Sequence, residues 1–587
     1  MRHGRHFGRL SIAGLLLASA AVPALAESPV TFDRLSNPEP ENWLTAHGTY
    51  DQWRHSALTE LTPENVGGLR LAFAAPLGAP VGTFGNETVP LVDDGFLYIT
   101  NATSQVFKFN VQGNLAQQVW SFDPEMNMTD AHAAFLVVNR GVALNGDLAI
   151  LNTTTGRVIA LDRNSGEPVW DLQVAIPQAE SFTAQPLALR DMVLVANARG
   201  DIGGRGWAAA LNAETGDEVW RFHMIPGPGE PGHETWPADS DAWQTGGASI
   251  WTQPSYDIET NMLYYGTSNA APAYDPAYRP GDNLYTSSTV ALDADTGELR
   301  WYFQYVPNEG FEWDEITPNI LLDTEIGGAT RQVMAHHSTR NGYFYVFDRL
   351  TGEFLFAQPN AESVNWTAGL DPKTGQPVEY DPDSDFQSYD GLNSLRGGAT
   401  RSGCAAASQW GGQTYIPDLN RIYSTVTDSC FTRAAAAPNY DEQPYVFGQI
   451  VFANPEGDFA AGFAEAARPG QGAPVPDDML RTTVGPHLTA TDASTGEIVA
   501  AVPVQAAAVA SGTLSTTTGL VFTAFGNGWV RAFDAESLAT LWEINVGTPF
   551  KAPPITYAVN GKQYIAIAGG ASGSLVNETA MLWVFSL

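Results

Sequence analysis

Residues 160–170 read ALDRNSGEPVW, and close copies return at 210–220 (ALNAETGDEVW), 291–301 (ALDADTGELRW) and 346–356 (VFDRLTGEFLF). Weaker copies stand at 490–500 (ATDASTGEIVA) and 532–542 (AFDAESLATLW), and a decayed one, KFNVQGNLAQQVW, at 108–120. Each reads as a strand, a tight Asp-x-x-Thr-Gly turn and a second strand, because the glycine permits positive φ and apolar residues alternate on both sides of it. One supersecondary unit recurring along a chain marks a repeat architecture. The spacing is 50 residues at its tightest and about three times that between Phe356 and Ala490, room for unmarked units or long insertions. Counting these gives seven or eight units, of which eight is the preferred number. The runs GFLYIT, DMVLVAN, MLYYGTS, GLVFTAF and QYIAIAGG supply further strands, and no amphipathic stretch is long enough for βαβ units. The pattern predicts an all-β chain, a β-propeller of four-stranded blades. The terminal MLWVFSL and the early LRLAFAAPL are expected to pair in one blade, closing the ring and removing sheet edges. Residues 27–587 then form one domain, with the Pro- and Gly-rich stretches as insertions on a blade face.

The first residues read as a targeting segment. Arg2, Arg5 and Arg9 precede the apolar run IAGLLLASAAVPALA, which ends in an Ala-x-Ala site, so residues 1–26 are expected to be a signal peptide cleaved after Ala26. That run is too short to span a bilayer and nothing comparable follows, which predicts an exported, periplasmic protein with no membrane span. The chain has 587 residues, is 44% hydrophobic and 16% charged, and carries a net charge of −35, about −38 without the leader. Phosphate backbones would be repelled by such a surface, so nucleic acid is excluded as a partner. The two cysteines, Cys404 and Cys430, lie in one stretch, and an oxidising compartment would let them pair.

Between the repeats lie segments with a more specific content. The tryptophan-ended repeat, preceded by NWLTAHGTYDQWRHSALTELTPENV, resembles the quinoprotein alcohol dehydrogenases that use pyrroloquinoline quinone (PQQ), over essentially all of the mature chain. In VVNRGVAL, the resemblance assigns Arg140 to a cofactor carboxylate, which a guanidinium can hold through two parallel hydrogen bonds, with Asn139 flanking it. In NARGDIGGRGW, Asp201 falls where the family has a metal-binding glutamate, one methylene longer, and the surrounding glycines are expected to let backbone approach a flat cofactor. In GGASIWTQPSYDIETNMLYYGTSNAAP, Trp251 matches the tryptophan lying against the quinone and Asn269 the asparagine that gives the metal an oxygen. In FEWDEI, Asp314 matches the catalytic aspartate, while Glu312 and Glu315 gain no role from the match. Some relatives carry a further aspartate, associated with lanthanides, where this chain has Ile316, so the expected ion is Ca²⁺ rather than a lanthanide.

Arg340, in HSTRNGYFYVFDR, matches the basic residue on the reactive quinone oxygen, Thr183 a hydroxyl touching the cofactor, and Trp529 a residue lining the site from the last blades. Gln409 stands where many relatives place Asn. The adjacent cysteine pair of many relatives falls at Ala134 and Phe135, so that disulfide cannot form and Phe135 is left to cover the ring. Cys404 and Cys430 resemble a structural disulfide of several members. The mechanism implied is alcohol oxidation, with the metal held by Asp201, Asn269 and Asp314 as Lewis acid, Asp314 as general base and Arg340 stabilising charge. No Cys-x-x-Cys-His occurs, which excludes a fused c-type haem and implies a separate electron acceptor such as a soluble cytochrome c. A dinucleotide fingerprint and a Gly-x-Ser-x-Gly elbow are also missing. Long polar insertions at 234–243 and 371–401 suggest a substrate larger than methanol, such as a polyol, sugar alcohol or bulky secondary alcohol. A homodimer is compatible with the sequence. The competing reading is a non-catalytic propeller that binds protein or glycan and keeps these motifs as relics.

Overall fold

The computed structural model describes residues 27–587 except 81–84, 114, 127–136, 178–179, 274–275, 311, 361–363, 365, 388, 390–399, 408–409, 435–484, 505–510 and 571–578. The leader therefore lies outside the described residues. The chain winds into eight sheets of antiparallel strands, to one of which His55–Ser56 adds in parallel: blades 1 to 7 span residues 91–122, 142–173, 187–223, 255–304, 320–359, 400–503 and 514–545. Blade 8 combines strands Ile555–Val559, Lys562–Gly569 and Thr579–Ser586 with Arg70–Pro80 as its outer strand, the pairing expected to close the ring. The propeller prediction holds, with eight blades. The copies at 346–356 and 490–500 sit in neighbouring blades 5 and 6, so the long interval between them is insertion. Within a blade the first strand is innermost: Leu187–Leu189 is wholly buried, whereas in Glu218–His223 only Trp220 is buried. Among the described residues no helix is long and apolar enough to cross a membrane.

The repeat is the joint between blades. A tryptophan that ends a copy donates its indole N–H to a carbonyl at the next blade: Trp120 to Arg163 (2.9 Å), Trp170 to Ala213 (3.0 Å), Trp220 to Ala294 (3.1 Å), Trp301 to Arg349 (3.1 Å). Its ring covers the turn glycine of that next copy. Gly297, at φ +70°, would place a Cβ 2.6 Å from the Trp220 ring. The aspartate or asparagine that opens each turn accepts from the backbone that follows, as Asp162 does from Asn164 N (3.0 Å) and Ser165 N (2.8 Å). The weak copies obey the same geometry. The copy at 490–500 ends in Ala500, and the turn facing it has Leu538 at φ +55° in the glycine position, the two packed in one cluster, so a larger turn residue fills the space of the missing indole.

The N-terminal segment crosses the inner strands. Trp43 N bonds Val92 O in blade 1 (2.8 Å), and Tyr50 Oη bonds Ala188 O in blade 3 (2.8 Å). Gln52 Nε2 reaches Pro254 O (2.8 Å), Trp53 Nε1 reaches Leu321 O (2.6 Å), and Tyr415 N donates to Trp53 O (2.9 Å). Arg54, fully buried, donates to Thr513 O (2.8 Å) and Pro554 O (2.5 Å) in blades 7 and 8. This segment fills the middle of the ring with hydrogen-bonded side chains.

Candidate active site

In an antiparallel blade, the start of strand 1 and the turn from strand 2 to strand 3 lie at the same end. The predicted residues use these two kinds of position. Arg140, Thr183, Trp251 and Asp314 precede the first strands of blades 2, 3, 4 and 5, while Asp201, Asn269 and Arg340 occupy the strand 2 to 3 turns of blades 3, 4 and 5. Trp529 opens the third strand of blade 7 and so stands at the same end. Links between blades end there too, which puts the insertion at 224–254 over this face. Gln409 and Phe135, and Ala134 beside the latter, lie outside the described residues.

Asp314 is buried, at 5% exposure. Its Oδ2 is 3.0 Å from Arg340 Nη2, and its Oδ1 accepts from Asn269 N at 3.3 Å. Arg340 also donates to the Glu312 carbonyl (2.5 Å) and has the Glu312 carboxylate 3.8 Å away. Glu312 holds a left-handed φ of +63°, which turns its backbone toward the arginine. Burial, then the charges of Glu312 and Asp314, push the Asp201 carboxyl up to about 8, against hydrogen bonding from Asn269 and attraction from Arg340. Burial likewise raises Asp314 to about 6, opposed by Arg340. The two acids and the Asn269 amide are oxygen donors that a hard cation accepts, and its charge would relieve the repulsion that raises both pKa values. Among the described residues no three His, Cys, Asp or Glu side chains gather as a metal cluster, so the donor set is two carboxylates and an amide.

Arg140 is buried and makes three hydrogen bonds: Nη1 to Thr183 O (3.1 Å) and Trp251 O (3.0 Å), and Nη2 to Glu87 Oε2 (2.6 Å). Its guanidinium lies 5.0 Å from the Trp251 ring centre and 4.4 Å from that of Trp410. Asn139 accepts from Thr100 Oγ1 (2.8 Å) and Gly141 N (2.9 Å) and donates to Ser104 Oγ (3.0 Å) and Asn152 O (2.8 Å), so its amide holds the loop that carries Arg140. Two buried polar groups beside the pair lack partners: Arg140 Nε, and both amide atoms of Asn86 next to Glu87. Unsatisfied donors and acceptors around an arginine and an indole suit a planar ligand rich in carboxylates and carbonyls.

A Cβ at Gly206 would meet Ala248 O at 2.0 Å, and Gly206 N donates to Gly247 O at 2.8 Å, so the close approach is to the 247–249 loop. Trp529 packs under Arg531 at 5.4 Å and beside the cluster of Ile416, Tyr423 and Phe533. Sequence reasoning missed Glu87, Lys551, 3.9 Å from Glu87, and Glu315, which burial raises to about 8 and which binds Ser338 and Thr339. The signal available was position, since Glu87 and Lys551 also precede first strands. Cys404 and Cys430 face each other in register on paired strands.

An eight-bladed propeller with an acid and arginine pair, an oxygen set and an arginine with a tryptophan at one end of its axis defines a cofactor-dependent dehydrogenase of the quinoprotein type. The model of the PQQ-dependent glucose/ethanol/alcohol dehydrogenase β-propeller domain matches residues 43–364 and 489–565. The chain is 32% identical to the quinohemoprotein alcohol dehydrogenase ADH-IIG of Pseudomonas putida, over 95% of this chain and 77% of that one. The solved quinohemoprotein alcohol dehydrogenase of Comamonas testosteroni superposes with a TM-score of 0.80 at 27% identity, covering 95% of this chain and 82% of its own. A europium-containing methanol dehydrogenase gives a TM-score of 0.78 at 26% identity, covering 95% and 100%. The chain belongs to the PQQ-dependent alcohol dehydrogenase family and is an alcohol-oxidising quinoprotein.

Proposed function

We propose that the chain is an exported, periplasmic dehydrogenase that converts an alcohol larger than methanol to its aldehyde or ketone, with Asp314 as general base. The observation that carries this is the buried Asp314 carboxylate held 3.0 Å from Arg340 and by the Asn269 N–H. Bound PQQ would supply the hydride acceptor, and Ca²⁺ the Lewis acid that keeps it electrophilic. Arg140, Thr183 and Trp251 would hold the quinone, with Phe135, Gln409 and Trp529 completing its surroundings and Asn139 fixing the Arg140 loop. Asp201, Asn269 and Asp314 would hold the ion. Ca²⁺ is preferred over a lanthanide because Ile316, fully buried and apolar, adds no charge to the donor set.

Asp314 takes the proton of the substrate hydroxyl. A cation beside it keeps the carboxylate ionised near neutral pH, and Arg340 holds its second oxygen in place while opposing the accumulation of negative charge. The insertion at 224–254 forms an ordered wall at this end: Trp236 is buried and bonds Leu284 O at 2.7 Å, and Trp243 is stacked by Arg205 at 4.9 Å and met edge-on by His233. Such a wall favours polyols, sugar alcohols or bulky secondary alcohols. Electrons leave to a separate acceptor of the soluble cytochrome c kind, and a disulfide between Cys404 and Cys430 staples the insertion of blade 6. The test is dye-linked oxidation of an alcohol panel after loading with PQQ and Ca²⁺, ranked by kcat/KM. A ranking led by polyols or bulky secondary alcohols is expected, and methanol at its head would refute the substrate assignment.

A further inference from the structure

Asp314 is followed by a second acid that the reaction does not use. Glu315 is fully buried, and an unpaired carboxylate in such a place is costly. Its Oε1 accepts from Ser338 Oγ at 2.7 Å, and its Oε2 accepts from Thr339 N at 3.0 Å and lies 3.1 Å from His336 Nε2. Ser338 Oγ in turn accepts from Arg340 N (3.2 Å) and Asn341 N (2.7 Å). Thr339 Oγ1 accepts from Ile316 N and Thr317 N, both at 2.9 Å. Glu315 N donates to Thr267 O at 3.0 Å, two residues before Asn269. His336 is held from behind by Asn319 Oδ1 at 2.9 Å and stacks on Tyr305 with ring centres 4.6 Å apart.

Glu315 thus joins the segment of Asp314 to the turn of Arg340 through its side chain, and to the strand that leads to Asn269 through its backbone N–H. We propose that Glu315 is a positioning residue that sets the spacing of the Asp314 carboxylate and the Arg340 guanidinium. This rests on the dehydrogenase reading above. A carboxyl group is required because both of its oxygens accept, Oε1 from Ser338 Oγ and Oε2 from Thr339 N. Glutamine has the same shape but must turn its NH₂ toward one of those donors, which loosens the joint without changing volume. Misplacement of a reacting group by a fraction of an ångström to 1 Å lowers turnover by roughly 10–100-fold, while ligand affinity set elsewhere is kept.

The experiment compares the wild type, Glu315→Gln, Ser338→Ala and the double variant, each loaded with PQQ and Ca²⁺. Turnover is read by dye reduction, and quinone affinity by quenching of tryptophan fluorescence in the same preparations. For Glu315→Gln, kcat should fall roughly 10–100-fold while KM and quinone affinity stay within about threefold. Ser338→Ala should show a smaller loss of the same kind, and the double variant should be no worse than Glu315→Gln, because both act through one link. Unchanged kcat, losses that multiply in the double variant, or quinone affinity falling in proportion to kcat would each overturn the proposal. If Glu315→Gln does not fold, Ser338→Ala decides alone: a lower kcat with quinone affinity kept supports the joint, and an unchanged kcat overturns it. A wild type that oxidises no alcohol sinks the dehydrogenase reading, whereas an active wild type matched by Glu315→Gln sinks only the positioning claim.

Discussion

Replacing Arg140 by methionine separates stability from cofactor binding. The change strands Glu87, which is 4% exposed and retains only Lys551 at 3.9 Å among its described ion pairs, and it deprives the carbonyls of Thr183 and Trp251 of a donor. Removing one member of a buried pair costs about 3–5 kcal/mol. About 2 kcal/mol of that belongs to the two carbonyls, at about 1 kcal/mol each, which leaves about 1–3 kcal/mol for the stranded charge. The double variant Arg140→Met/Glu87→Gln removes the charge and should regain that last part. Urea melts of ligand-free protein measure these differences, and a PQQ titration followed by tryptophan quenching measures the cofactor. The expected result is that the double variant is more stable than the single one and binds quinone no better. The reasoning is refuted if Glu87→Gln gives no recovery of stability, or if it restores quinone affinity, since Arg140 would then not be the group that holds the cofactor.

Gly297→Ala should lower stability by about 2–5 kcal/mol, from the left-handed φ of +70° and a Cβ 2.6 Å from the Trp220 ring. Gly519→Ala, also left-handed but with open space around it, should cost only about 1–2 kcal/mol, and equal urea midpoints for the two would contradict the docking account. Burial lowers His336 and His337 to about 3, so the unfolded chain gains protons first as pH falls below 6.5 and their contribution to stability is lost from there down to about 3. Asp201 and Glu315, raised to about 8, hold protons in the fold that the unfolded chain has released, and their contribution is lost as pH rises from about 4 through 8. Above pH 6.5 only the second branch remains, so calorimetry on metal-free protein should show Tm falling from pH 6.5 to 8.5. Ca²⁺ should flatten that fall, and a rising Tm without metal would contradict the assignment.

The repeat was readable because its information is local: an aspartate caps the turn, a glycine supplies positive φ and an indole four residues after that glycine reaches the next blade. The copy at 532–542 looked weak because Leu538 and Ala500 changed together, a compensation visible only once the two blades are side by side. Blade 8 has no copy at all. It is assembled from the two ends of the propeller, and only the need to cover a sheet edge pointed to it. Asp314, Arg140, Asn269 and Arg340 were legible as family motifs, and the structure brings Asp314, Asn269 and Arg340 into direct contact. Glu87 was not, since its partner lies 53 positions away. The role of Glu315 stayed hidden beside a more conspicuous acid, and the path of residues 43–54 across the ring was invisible because most of its bonds go to backbone carbonyls, which leave no mark in a sequence.

The most direct test of the account is the turnover of Asp314→Asn loaded with PQQ and Ca²⁺. Asparagine keeps an oxygen for the Asn269 N–H and for the ion but cannot accept the substrate proton. Dye reduction with the best alcohol should fall by roughly 10²–10⁴-fold at unchanged quinone content. Turnover within about twofold of the wild type at equal quinone and metal content would show that another group accepts the proton.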